Sequence, residues 1–109
     1  MNILKLRKEM FPAIISGKKT STSRQGVRLI NPNEKLKIVM TEDERFGIDM
    51  VVTNVHYCKF NELTKEEAIK EGYSSLQELQ DVLKKIYDIE KDDDFTIIEF
   101  AFPWDVDNY

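Results

Sequence analysis

The residues with the most chemical potential lie together in Gly17-Lys18-Lys19-Thr20-Ser21-Thr22-Ser23-Arg24, three cations and four hydroxyls in eight positions. A lysine whose pKa is lowered by burial or by neighbouring cations can accept a hydroxyl proton and arm that hydroxyl for attack on a carbonyl. Lys19 has Lys18 beside it and Arg24 nearby, and both favour its free amine. Geometry sets a condition: in a regular strand Thr20, Thr22 and Arg24 share one face and Lys19 takes the other. Lys19 can therefore join Thr22 only if it still belongs to a turn that follows Gly17. Glu71 is the carboxylate that could complete such a set. It follows Glu67 by four residues and ends its helix, where a like charge and the helix macrodipole both disfavour an anion. Spacing alone favours the plainer reading, an exposed residue at a frayed end.

Other catalytic signatures are missing. The chain has no Cys-x-x-Cys, no His-Glu-x-x-His and no glycine-rich phosphate loop, and its single histidine, His56, falls in a strand pattern. A histidine triad or zinc site is not expected, and no metal or cofactor is called for. The lone Cys58 reads as a small semi-buried side chain. Asp92-Asp93-Asp94 reads as a solvated turn without the spaced ligands and glycine of a calcium loop.

The elements that must position these residues fit one domain, 1–109, with 41% hydrophobic and 33% charged residues. No apolar run approaches the length of a membrane span, and the N-terminus alternates apolar with charged residues, so no membrane partner and a cytoplasmic location are expected. The net charge of −4 argues against an indiscriminate polyanion binder. Its distribution is uneven, however: residues 1–30 carry seven Lys/Arg against Glu9 alone, a plausible anion-facing surface.

Residues 2–7 alternate as a strand, and 8–16 suit a short helix with Phe11, Ile14 and Ile15 inward and Pro12 tolerated in its first turn. Gly17 supplies the stop, and 20–24 should be extended. A loop over 25–34 precedes a half-buried strand at 35–41, a charged turn at 42–45 and a longer strand at about 48–60. Thr64 with Glu67, and Ser75 with Glu78, are capping-box pairs that start two helices. The first ends near Glu71 at Gly72; the second carries a stripe of Leu76, Leu79, Val82, Leu83, Ile86 and Tyr87 that must be buried. A last strand at 95–102 is apolar on nearly both faces, which suits a central place in the sheet, and ends at Pro103. Trp104 either caps the core, the favoured reading, or offers a stacking surface to a base. Strands with helices inserted between them indicate an α+β fold whose mostly antiparallel sheet can curl into a barrel.

Gly17-Lys18-Lys19-x-x-Thr22-x-Arg24 resembles the Gly-x-Lys-x-x-(acid or Thr)-x-Arg motif of the ASCH family, whose small barrel is similar to the PUA RNA-binding fold. The likeness extends over nearly the whole chain and implies a single PUA-like, mostly antiparallel β-barrel with inserted helices. With threonine at position 22 the chain resembles the small bacterial amidohydrolases that deacetylate N4-acetylcytidine. That resemblance implies Thr22 as nucleophile, Lys19 as its activator and Glu71 as the acid/base for the leaving amine, with Lys18, Thr20 and Arg24 as substrate-binding residues. It implies a modified nucleoside or RNA as partner in a basic cleft. Two departures stand out: relatives with an acid at the threonine position lack this nucleophile and are thought to bind RNA, and the segment after Glu71 is one residue longer than in the amidohydrolases.

Overall fold

A computed structural model describes residues 2–90 and 92–106. Its five strands are β1 (Asn2–Leu6), β2 (Ser21–Gln25), β3 (Lys35–Met40), β4 (Asp43–Lys59) and β5 (Asp94–Ala101), and its three α-helices are α1 (Phe11–Ile15), α2 (Lys65–Lys70) and α3 (Leu76–Ile86). The strands form one sheet in the order β1-β3-β4-β5-β2, parallel only between β1 and β3. The fold is α+β, as the alternation of strands and inserted helices predicts, and its curled half-barrel matches the PUA-like architecture that the resemblance implies.

Curvature follows from β4, which pairs with β3 along its first half and with β5 along its second, its register slipping between Val52 and Asn54. A bulge of this kind bends and over-twists a strand. In a flat sheet the outer strands β1 and β2 would stand roughly 19 Å apart, four inter-strand spacings. Here one side chain spans them: the Arg24 guanidinium on β2 donates to the Lys5 carbonyl on β1 at 2.9 Å. The sheet is thus curled until its edges almost meet.

Two apolar clusters fill the fold, and β5 contributes to both. Ile98 and Phe100 face the barrel interior with Leu4, Phe11, Ile14, Leu36 and Ile38, while Phe95 and Ile97 face outward under Leu79 and Leu83 of α3. That is why the strand is apolar on both faces. At roughly 2–3 kcal/mol per fully buried leucine, Leu79 and Leu83 are what hold α3 to the sheet.

Several boundaries differ from the sequence reading. Residues 8–10 form a 3-10 turn before α1, and the strand expected from Ile48 already begins at Asp43, because the turn there needs only Thr41 and Glu42. Ile15 is exposed, since α1 is a single turn whose far side no element among the described residues covers, and Ile86 is exposed at the end of α3. Trp104 does not cap the core: it is 77% exposed and lies flat against Phe102, with centroids 4.7 Å apart and planes 7° from parallel.

Candidate active site

Gly17 ends α1 with φ +82°, the left-handed conformation that lets the chain reverse. The amide of Lys19 then bonds back to the Ala13 carbonyl at 2.9 Å. Lys19 is therefore still in the turn, and β2 starts only at Ser21. The condition set by strand alternation is met, and the Lys19 side chain runs inward instead of to the opposite face of β2.

Glu71 arrives by a different route. The Thr64 hydroxyl accepts from the Glu67 amide and starts α2. The Glu67 carboxylate accepts a hydrogen bond from the Thr64 hydroxyl and faces His56, without closing the reciprocal half of the capping box. The helix ends in a Schellman motif, with Gly72 N–H bonded to Ile69 O, Tyr73 N–H to Ala68 O, and Gly72 at φ +93°. Glu71 is the C-cap. A helix end leaves its last carbonyls without partners, and the turn from α1 supplies them. Thr20 N–H donates to Lys70 O at 2.7 Å, and Lys19 Nζ to Glu71 O at 3.3 Å.

These two helix ends meet in a cleft of about 480 Å³ whose lining includes Lys19, Thr22, Ser23, Arg24, Glu71 and Tyr73, with α3 forming an apolar wall through Leu79, Val82 and Leu83. Lys19 is 2% and Glu71 4% exposed, and Nζ stands 3.7 Å from Oε1. Nζ also donates to Ser21 O at 2.8 Å. Glu71 Oε1 accepts the Ser23 backbone N–H at 3.2 Å, and Oε2 accepts the Ser23 hydroxyl. Thr22, 2% exposed, lines the same hollow.

Burial controls the electrostatics. Desolvation holds the Lys19 amine down to about 8, helped by Arg24 and opposed by the Glu71 carboxylate. The same desolvation pushes Glu71 up against the attraction of Lys19 and the hydrogen bonds from Ser23. Sequence reasoning assigned the Lys19 shift to Lys18 and Arg24 and the Glu71 shift to Glu67 and the helix end; Arg24 does contribute, but the main cause of both is the loss of water. Both shifts favour the uncharged pair, a free amine beside a carboxylic acid. Tyr73, also at the cleft, is raised to about 12 by burial and by Glu71.

The remaining residues singled out from sequence divide as follows. Arg24 reaches the cleft, although the hydrogen bond it makes there goes to Lys5 O across the seam, while its Nε is buried without a partner among the described residues. Thr20 and Lys18 are not brought to this cleft. Thr20 lines a second groove of about 630 Å³, where Gly17, Phe102 and Trp104 also lie, and the Lys18 side chain is exposed on the turn. Ser23 and Tyr73 are site residues that sequence reasoning missed. Ser23 was hidden by alternation, which sets it opposite Thr22. Away from the site, His56 faces Glu67 at 3.8 Å. Burial with Glu67 and Glu62 pushes the Cys58 thiol up to about 11, which makes it a poor nucleophile. Asp93 and Asp94 bind Gln25 and Lys59, and no cluster fit to hold a metal ion exists among the described residues. No helix among them is long and apolar enough to cross a membrane.

A family model described as ASCH domain matches residues 2–102. No curated protein matches the chain. Among solved structures, the ASCH domain from Lactobacillus crispatus JV V101 superposes with a TM-score of 0.77 at 13% identity, over 92% of this chain and 79% of that one. The ASCH protein from Zymomonas mobilis gives 0.66 at 22% identity over 91% of this chain, which spans only 65% of that longer protein. Protein EF3133 from Enterococcus faecalis V583 gives 0.66 at 16% identity, over 85% and 69% of the two chains. At these identities the likeness establishes the fold alone.

Proposed function

The chain belongs to the ASCH domain family, and on that premise we propose that it is an amidohydrolase that removes the acyl group from the exocyclic nitrogen of an acylated cytosine nucleoside such as N4-acetylcytidine. One observation carries the reading: Lys19 and Glu71, from segments about fifty residues apart, are buried against each other in a cleft that Thr22 also lines.

The first half of the reaction starts from the uncharged pair. Thr22 Oγ1 attacks the acyl carbonyl while the free Lys19 amine takes the hydroxyl proton. As the tetrahedral centre collapses the C–N bond breaks, and protonated Glu71 supplies the proton that the leaving N4 amine requires. An acyl-threonine ester and the ion pair remain. Water then attacks the ester, giving its proton to the Glu71 carboxylate; Lys19 returns its proton to Thr22 as the carboxylic acid leaves. The pair ends as it began, and its total proton count never changes between the half-reactions. Two buried groups a few ångströms apart suit this exchange, because burial works against the ion pair while the attraction between the two charges works for it.

The decisive experiment is incubation of the purified protein with N4-acetylcytidine, following cytidine and acetate together. Stoichiometric release of both is the expected result. Failure to cleave this nucleoside and its longer acyl analogues would overturn the assignment.

The Phe102–Trp104 stack supports a second reading, a nucleotide- or RNA-binding module without catalysis. An exposed flat aromatic face beside a groove suits a nucleobase, and stacking of this kind is worth roughly 1–3 kcal/mol per base. On this reading single-stranded RNA quenches the fluorescence of Trp104, the chain's one tryptophan, with affinity that falls steeply with salt. Trp104→Ala, followed by anisotropy of labelled RNA, then weakens binding about 5- to 150-fold, while Thr22→Ala leaves it unchanged. RNA binding that survives Trp104→Ala intact would remove this reading's support.

A further inference from the structure

Building on the amidohydrolase reading, we propose that Ser23 is a positioning residue that grips both carboxylate oxygens of Glu71 and so fixes the direction in which Glu71 delivers its proton. β2 is an edge strand, and an edge leaves backbone N–H groups without strand partners. The Ser23 amide gives its hydrogen bond to Glu71 Oε1 at 3.2 Å, and its hydroxyl bonds Oε2. Two donors on one residue, each to a different oxygen, set the plane of the carboxyl group, and they leave Oε1 3.7 Å from Lys19 Nζ. Ser23 is itself buried, so water does not substitute for its hydroxyl.

The grip also sets the charge state of Glu71. Hydrogen bonds donated to a carboxylate favour the ionised form and oppose the burial that disfavours it. The charged and titratable groups facing Glu71 are Lys19 from the turn before β2, Arg24 from β2 and Tyr73 from the segment after α2. Lys5, Arg7 and Glu9 line the same cleft from the β1 side, and Lys85 from α3. Among the described residues, only Lys19 lies within ion-pair distance of Glu71. Removing the Ser23 hydroxyl therefore leaves the carboxyl group with one donor fewer, one oxygen free to rotate and a greater tendency to stay protonated.

The test compares wild type, Ser23→Ala and Ser23→Thr by two measurements. The first is the titration of Glu71 followed by ¹³C NMR of its carboxyl carbon in the unliganded protein. The second is the pH dependence of kcat and kcat/KM on N4-acetylcytidine. In Ser23→Ala the Glu71 midpoint should rise by about one pH unit. The acid limb of kcat/KM should move the same way, and kcat should fall about tenfold with KM little changed. Ser23→Thr, which keeps a hydroxyl and the backbone donor, should restore all three. A Glu71 midpoint and acid limb that stay in place in Ser23→Ala, or a threonine variant indistinguishable from alanine, would overturn the proposal. If wild type has no amidase activity the hydrolase reading fails by itself, and the titration decides the grip: a raised midpoint supports it and an unmoved one refutes it.

Discussion

Thr22→Ala should abolish turnover of N4-acetylcytidine, lowering kcat by about 10³-fold or more, while thermal unfolding shifts by only a few degrees. Loss of an attacking hydroxyl removes the covalent route entirely, and what survives is whatever the cleft achieves by binding and polarising the amide. The fold should tolerate the change, because β2 is held by its backbone pairing to β5, where Thr22 stands opposite Ile98. Thr22→Ser should retain much of the activity, and a mass shift equal to the acyl group on Thr22 should be trapped in acid-quenched wild type. Activity that persists in the alanine variant would mean that water attacks directly, with Lys19 or Glu71 as its base.

Glu71→Ala should produce the largest loss of stability, about 3–5 kcal/mol near neutral pH, because it strands a buried ammonium without its counter-charge. The sign of the pH dependence separates this from a packing defect. Lys19 in the folded wild type sits at about 8 against 10.5 for the free side chain. Between those values the unfolded chain binds more protons, so stability rises with pH through the window, by about 3 kcal/mol in all. Without Glu71, whose attraction raises the folded value, the rise begins at lower pH, and the penalty of the variant shrinks as the solution is made alkaline. Glu71→Gln, which keeps the volume and can accept the Ser23 amide, should lose less. Urea unfolding from pH 6 to 10 reads these differences directly. A penalty below about 1 kcal/mol, or one flat across that range, would mean that Lys19 is already neutral or reached by water.

The parts of the fold that were legible in the sequence are those fixed by local chemistry. Gly17 marked the end of α1 and so the turn that carries Lys19 inward; Ser75 and Thr64 marked helix starts; the strand 95–102 declared itself by an apolar run that only Thr96 and Glu99 interrupt. What escaped depends on tertiary neighbours. No local pattern says that β4 runs for 17 residues or that its register slips, so the curl that brings β1 to β2 was not predictable in detail. Trp104 and Ile86 are apolar residues left uncovered, which composition cannot distinguish from core. The site divides along the same line. Lys19, Thr22 and Arg24 could be named because they lie within six consecutive residues. Glu71 needed a family likeness, and Ser23 is visible only once α2 is seen to end against the edge of β2.

The Schellman ending of α2 has one last implication, for tolerance to insertion. Everything that secures Glu71 lies at or before Tyr73: the helix, its terminal amides, the turn from α1 and the side chain of Ser23. The connection onward to Ser75 holds none of it. Spare length there can loop outward into solvent, so the acid's placement is insulated from how many residues separate the two helices. A change of one residue in the length of this connection thus leaves Glu71 in place, and grafting a longer hairpin between Tyr73 and Ser75 is a practical way to attach a reporter beside the cleft.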